Sequence, residues 1–313
     1  MNRNSKVSRM NEQMISQLCI QCLSGAPQSI ERCAVGQGNY VFIVECSETK
    51  YVVRCSSECG AYNDTVYWLE QLASLEIPVP KIIARGKFGE FEYLILTYFE
   101  GKDIGLVYPQ LSDVEKKEIA REIVRIQDQV AALRIEDVDP QWSWRSSIDE
   151  MLERSKERIA TNGYFEVEKV DRLWKAAEEL DEYFSSIEPI AYLDDVSTKN
   201  LLIHNGRISG IIDIDWMGMG DKLTYVALTN MALLNMECDT DYVKYILEEM
   251  CLSGIQKRAF LFYTLMFCVD FMGERGMQFM DKLVEVNRQI IDRLNRLYDA
   301  LWEEWKNGSV ESR

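Results

Sequence analysis

The chain has 313 residues, with 51 Asp and Glu against 35 Lys and Arg and a formal net charge of −16, which excludes an electrostatically driven binder of nucleic acid or anionic membrane, since both demand a basic surface. Hydrophobic residues make up 47% and aromatics 11%, enough for a substantial core in one large or two modest domains, and the acid excess fits either a cationic small partner or plain surface solvation. A single histidine, His204, argues against Ser-His-Asp, Cys-His and poly-histidine zinc chemistry, so acid–base work falls to carboxylates, Lys, Tyr or Cys.

The first residues show no apolar signal segment. Residues 8–24 read as an amphipathic helix, with Met14, Leu18 and Cys22 at four-residue spacing. Cys19-x-x-Cys22 has no second pair and reads as core or surface thiols; the nine cysteines lack framework spacing and fit a reducing, cytoplasmic setting. Short alternating runs at 29–35, 40–45 and 51–55 read as strands, with Gly36-x-Gly38-Asn39 between the first two. A helix over 61–75 stops before Pro78-Val-Pro80, and runs at 81–84 and 93–98 complete a sheet of five strands with one helix after the third. After Glu100-Gly101 the patterning turns helical. Ser112-x-x-Glu115 is a capping box ahead of a stripe of Ile119, Ile123, Ile126, Val130 and Leu133; Ser147-x-x-Glu150 marks a second helix, and Val170, Leu173, Trp174, Ala177, Leu180 and Phe184 a third. Further helices are expected over 221–235, 239–252, 255–274 and 277–305. The longest apolar run, 259–269, is too short to span a bilayer and ends at Asp270.

The stretch 195–221 carries the chemistry. Asp195-x-x-x-x-Asn200 leads into Leu201-Leu202-Ile203; His204 stands beside Asn205-Gly206, a strong two-residue hairpin signal; Gly210-Ile-Ile-Asp213 returns. The hairpin puts Asn200 and Asp213 at one end of a ribbon, with Asp195 on the loop before it. Oxygen-rich groups in that pattern suit Mg²⁺, and their order is that of a kinase catalytic loop followed by a metal-binding aspartate. Either half alone reads more readily as a turn Asp, an Asn bonding its own backbone and a solvated hairpin acid.

With Gly218-x-Gly220-Asp221 added, the stretch resembles the aminoglycoside phosphotransferase family, the small-molecule branch of the protein-kinase-like fold. The family pattern runs H-G-D-x-x-x-x-N, a hairpin, then I-D-x-x-x-x-G-x-G-D; Leu193 and Asp194 stand here where the pattern has His and Gly. The resemblance implies an α/β (α+β), two-lobed fold: residues 1–98 as a small antiparallel-sheet lobe that binds nucleotide, residues 99–313 as a large helical lobe with the catalytic loop and acceptor site. It implies that Asp195 orients or accepts the proton of a substrate hydroxyl, that Asn200 and Asp213 hold Mg²⁺, and that Gly36, Gly38 and Asn39 approach the phosphates. It assigns Arg54, in the place of the usual Lys, to the α- and β-phosphates, puts Tyr62 where the pairing Glu belongs, and gives Thr97, Tyr98 and Phe99 to the adenine. Asp194, Asp270 and Glu274 become candidates for a cationic acceptor. The implied function is transfer of the γ-phosphate of ATP, or GTP, to a hydroxyl of a small molecule such as an aminoglycoside, by a monomer or homodimer. The departures at Arg54, Tyr62 and Leu193 keep a nucleotide-binding pseudokinase or regulatory protein open, and choline, homoserine, a macrolide or a sugar are alternative acceptors.

Overall fold

Alternating apolar residues build the first half of the chain. A computed structural model describes residues 10–23, 25–33, 39–135, 138–279 and 282–308. Five strands, β1 (Ser29–Cys33), β2 (Asn39–Cys46), β3 (Thr49–Ser56), β4 (Ile82–Phe88) and β5 (Phe91–Thr97), form one antiparallel sheet in the order β1-β2-β3-β5-β4. Phe42 and Val44 on β2, Val53 and Cys55 on β3, and Phe91 and Ile95 on β5 alternate onto one face. They are buried with Ile15, Leu18 and Cys19 of the helix α1 (Glu12–Cys22). Asn11 caps α1 by accepting from the Met14 N–H at 3.0 Å, so the helix begins later than the periodicity suggests. Helix α2 (Asn63–Leu72) fills the connection between β3 and β4 and buries Val66, Leu69 and Leu72. These elements belong to a compact unit that runs to Glu100; a second comprises Gly101–Phe279 and Leu283–Arg313.

The second unit is mostly helical. In chain order it contains β6 (Lys102–Asp103), α3 (Ile104–Val107), α4 (Asp113–Ala131), α5 (Trp144–Asn162), α6 (Glu168–Glu178), α7 (Asp181–Ser185), β7 (Ala191–Tyr192), β8 (Leu201–His204), β9 (Arg207–Ile211), β10 (Gly218–Met219), α8 (Leu223–Asn235), α9 (Asp241–Met250) and α10 (Gly254–Glu274). The chain closes with the short strands β11 (Gln278–Phe279) and β12 (Lys282–Leu283) and helix α11 (Arg288–Gly308). The apolar run 259–269 lies at the centre of α10, whose Phe262, Leu265, Met266 and Val269 are buried with Ile148 and Leu152 of α5, Met231 of α8 and Leu294 of α11. No helix among the described residues is long and apolar enough to cross a membrane.

Three expectations change. Helix α5 is capped by Ser143, whose Oγ accepts from Ser146 N–H at 3.1 Å, and Ser147 lies inside it, donating back to Ser143 O. Trp144 is buried against Tyr263 through its Nε1 hydrogen bond, and this anchor draws the helix start back by one turn. The stripe 170–184 breaks after Glu178 into α6 and α7. Residues 277–279 and 282–287 are not helical: Gly276 adopts φ 73° and donates to Val284 O, and Asn287 caps the delayed α11 by accepting from Ile290 N–H.

Candidate active site

Backbone constraints shape the central loop before any side chain acts. Strands β6, β8 and β9 form a three-stranded sheet in that order. Asn205 and Gly206 take φ 51° and 74°, the two positive values a tight hairpin turn demands, so His204 pairs with Arg207 and is an exposed hairpin-end residue. At the other end Leu201 pairs with Ile211, and Ile212 N–H donates to Asn200 O at 2.9 Å. Asn200 and Ile212 are therefore opposite one another, with Asp213 one residue beyond. Both Asn200 and Asp213 adopt left-handed φ, 63° and 61°, a conformation Asn and Asp tolerate better than other side chains.

The Asn200 amide nitrogen donates to the Asp195 backbone carbonyl and to Asp195 Oδ2, each at 3.0 Å. The carboxamide oxygen is the Asn200 atom left to face a cation. The strand pairing brings the Asn200 and Asp213 backbones to the same end of the ribbon; Mg²⁺ takes one or two protein ligands and completes its shell with water and phosphate oxygens. Among the described residues, no group of three or more His, Cys, Asp or Glu is placed to hold a metal ion.

Asp195 keeps much of its surface in solvent. Desolvation of its carboxyl is nevertheless the largest influence and raises its pKa; the Lys199 ammonium and hydrogen bonds from Asn200 and Ser197 pull it back, and Asp103 adds to the rise. Its neighbour Asp194 is pushed up to about 6, first by burial and then by the Asp195 charge. Leu193, where the family pattern has His, is buried. Its N–H and C=O are both taken by the side chain of Gln127.

Gly218, Gly220 and Asp221 are structural. A side chain at Gly218 would collide with the Tyr192 ring, and one at Gly220, which has φ 124°, with the Trp144 ring. Strands β10 and β7 pair antiparallel, and Gly220 N–H donates to Ile190 O at 2.9 Å. Asp221 is buried and accepts from Tyr183 OH at 2.6 Å, Tyr263 OH at 2.9 Å and Leu223 N–H at 3.0 Å; burial raises its pKa against those donors.

Asp270 and Glu274 lie on α10. Asp270 is not a free solvated acid: Arg158 lies 3.3 Å away, Arg154 3.9 Å, and Ser155 Oγ donates to it at 3.4 Å. Burial raises the pKa of Glu274, followed by the Asp270 charge, while Arg158, Arg275 and Lys199 lower it. Lys199 thus acts on Glu274 and on Asp195, linking α10 electrostatically to the loop.

In the first unit Arg54 lies on β3, paired with Val41 and Leu94, and its guanidinium stands 5.3 Å from the centroid of the Tyr62 ring. Tyr62 is buried at the N-cap of α2. Thr97 ends β5 with its N–H donating to Lys81 O and its Oγ1 accepting from Lys81 N–H. Tyr98 and Phe99 are half-buried, and Lys50 stands over the Tyr98 ring while pairing with Glu100 at 2.9 Å. Gly36, Gly38 and the Asn39 side chain lie outside the described residues; the Asn39 backbone opens β2, opposite Ser56.

The model of the phosphotransferase enzyme family, APH, matches residues 29–229, more than half of the chain. The chain belongs to this family. As a member it is a small-molecule kinase with the two-part, kinase-like architecture of aminoglycoside phosphotransferases. A thermostable mutant of aminoglycoside phosphotransferase APH(4)-Ia, in a ternary complex with AMP-PNP and hygromycin B, is 18% identical, aligns over 92% of this chain and 97% of its own, and has a TM-score of 0.65. ADP-bound APH(2'')-Ib is 15% identical over 95% of this chain and 99% of its own, at TM-score 0.64. The streptomycin–ATP complex of APH(2")-IIa is 14% identical over 94% and 97%, at 0.62. No curated protein sequence matches the chain significantly.

Two residues that engage the phosphotransferase loop escape a motif reading, Gln127 and Asp103. Gln127 falls four residues after Ile123 and three before Val130 on the apolar stripe of α4. A polar residue on such a stripe is the one signal that marks it. Asp103 precedes a four-residue helix and carries no comparable mark.

Proposed function

We propose that this phosphotransferase moves the γ-phosphate of ATP to a hydroxyl of a polycationic, aminoglycoside-like acceptor in the cytoplasm. The observation that carries the reading is the grip of Asn200 on Asp195 beside the strand pair that ends two residues before Asp213. Asp195 is the base that orients and accepts the hydroxyl proton, and its raised pKa makes it a better proton acceptor than an ordinary surface carboxylate. Asn200 and Asp213 are the residues to hold Mg²⁺, which, when bound, neutralises charge on the transferring phosphates. Arg54, set against Tyr62, is assigned to the α- and β-phosphates. Gly36, Gly38 and Asn39 are assigned to the phosphates as well, and Thr97, Tyr98 and Phe99 to the adenine.

For the acceptor, Asp194 and Glu274 are the better-placed acids, because Asp270 already meets Arg158 and must exchange that partner for a substrate amine. The overall charge of −16 supports a cation. Relatives of the same fold are seen with AMP-PNP and hygromycin B, and with ATP and streptomycin. The test is steady-state phosphorylation of hygromycin B, streptomycin and gentamicin against choline, homoserine, a macrolide and a neutral sugar, with ATP and GTP. The acceptor KM should rise between about 0.03 and 0.3 M salt, as the Debye length falls from near 18 to near 6 Å, and rise more steeply than that for Mg-ATP. Turnover confined to neutral acceptors, or an acceptor KM indifferent to salt, overturns the polycation; tight nucleotide binding without turnover of any acceptor favours a regulatory protein.

A further inference from the structure

Leu193 and Asn200 bound the loop that carries Asp195, and both are held by side chains from elsewhere in the second unit. Gln127 is 1% exposed. Its Nε2 donates to Leu193 O at 2.8 Å and its Oε1 accepts from Leu193 N–H at 2.9 Å. At the far end Asp103 Oδ1 accepts from Asn200 N–H at 2.9 Å. Gly105, two residues on, donates from its N–H to Thr198 O at 3.0 Å, and a side chain there would meet that oxygen at 2.7 Å.

A carboxamide bonded to both backbone groups of one residue does the work of a neighbouring strand. Only Asn and Gln carry a donor and an acceptor in that fork, and a buried N–H and C=O that lose their partners are destabilising. The Leu193 side chain has no polar atom with which to orient the loop, so orientation falls to this backbone grip. Asp103 acts on the residue whose amide holds Asp195. Accepting from the Asn200 N–H secures the left-handed turn that aims the Asn200 side chain back at Asp195.

We propose that Gln127 and Asp103 are positioning residues, gripping the two ends of the loop so that Asp195 stands where a hydroxyl proton can reach it. Neither touches substrate or nucleotide. The proposal rests on the reading of Asp195 as the proton acceptor, and a shift of about 1 Å in such a group lowers turnover on the order of 10²-fold.

The test uses the full chain with Gln127→Met, Asp103→Ala and Asp103→Asn, and the acceptor that turns over in the panel above. Gln127→Met and Asp103→Ala should lower kcat by roughly ten- to a hundredfold; the Mg-ATP dissociation constant, by calorimetry, should stay unchanged in Gln127→Met, whereas Asp103→Ala, acting through Asn200, should also weaken Mg-ATP binding. Asp103→Asn keeps an acceptor oxygen and should restore most of the rate. In an Asp195→Asn background Gln127→Met should cost nothing further, because its action runs through Asp195; independent, multiplying losses overturn the proposal. A second arm does not depend on activity: hydrogen exchange of the peptide covering residues 193–200 should quicken in Gln127→Met at temperatures where the protein stays folded. Unchanged exchange there overturns the grip. If wild type phosphorylates nothing, the functional reading fails while the exchange arm still decides the grip. Should Gln127→Met not fold, Asp103→Ala carries both arms.

Discussion

The guanidinium of Arg54 stands 5.3 Å from the centre of the Tyr62 ring, where the family pattern sets a lysine and a glutamate. An aromatic face orients a guanidinium, and the planar fork suits two phosphate oxygens at once. Arg54→Ala should weaken Mg-ATP binding by roughly 1.5–3 kcal/mol, the worth of a hydrogen bond to a charged group, and Tyr62→Leu by about 0.5–1 kcal/mol. Adenosine, without phosphates, should bind all three proteins alike in calorimetry; an equal loss for adenosine would show damage to the sheet instead.

Asp195→Asn is nearly isosteric and keeps an oxygen for the Asn200 amide, but it gives up the charge and the proton-accepting oxygen. Turnover should fall by a factor on the order of 10² or more with nucleotide affinity nearly unchanged. Wild-type turnover in this variant would move the proton transfer to another group.

Asn200 and Asp213 at the ribbon end make a separate demand. Asp213→Ala should remove the Mg²⁺ dependence of nucleotide binding and leave the circular dichroism spectrum intact, with Asn200→Ala doing the same in part. Nucleotide affinity that still responds to Mg²⁺ in both variants rules out these ligands.

Asp194 connects the loop to pH. Its folded pKa, about 6, lies above the ordinary aspartate value of 3.8, so its contribution to stability is fully present below the lower value and is lost as pH rises through the higher one. Between pH 5 and 7.5 wild type should lose roughly 1–2 kcal/mol through this group. Asp194→Asn should flatten that slope in denaturant titrations and make the protein the more stable of the two at pH 7.5. A slope identical in the two proteins would mean that the carboxyl titrates normally.

Gly218 allows the Tyr192 ring to lie against the β10 backbone. Gly218→Ala should destabilise the second unit by about 1–3 kcal/mol through overpacking, read as a lower thermal midpoint. The paired variant with Tyr192→Leu should recover part of that loss. No recovery would place the strain elsewhere.

What could be read from residues alone follows the range of the interaction. Asn205-Gly206 specifies its turn by two positive φ values, and Ser112 and Glu115 cap each other across three residues; both are local and both form as patterned. The start of α5 is not local, because the buried bond between Trp144 and Tyr263, 119 residues apart, selects Ser143 over Ser147. The grip of Gln127 on Leu193 spans 66 residues, and that of Asp103 on Asn200 spans 97. Spacing names the loop, but only the packed second unit reveals which distant side chains hold it. The pairing of Asp270 with Arg158 was hidden for the same reason: the two residues are 112 positions apart.

The segment from Asp213 to Asp221 is tied at both ends. Asn200 O holds Ile212 at the start; at the finish Ile190 O holds Gly220 and two tyrosines hold Asp221. Between them Ile214 is buried and Trp216 is 81% exposed. In such a span, adding or deleting one residue would pull Asp213 out of register with the buried Asp221. The length of this span is therefore under a tighter physical constraint than its composition.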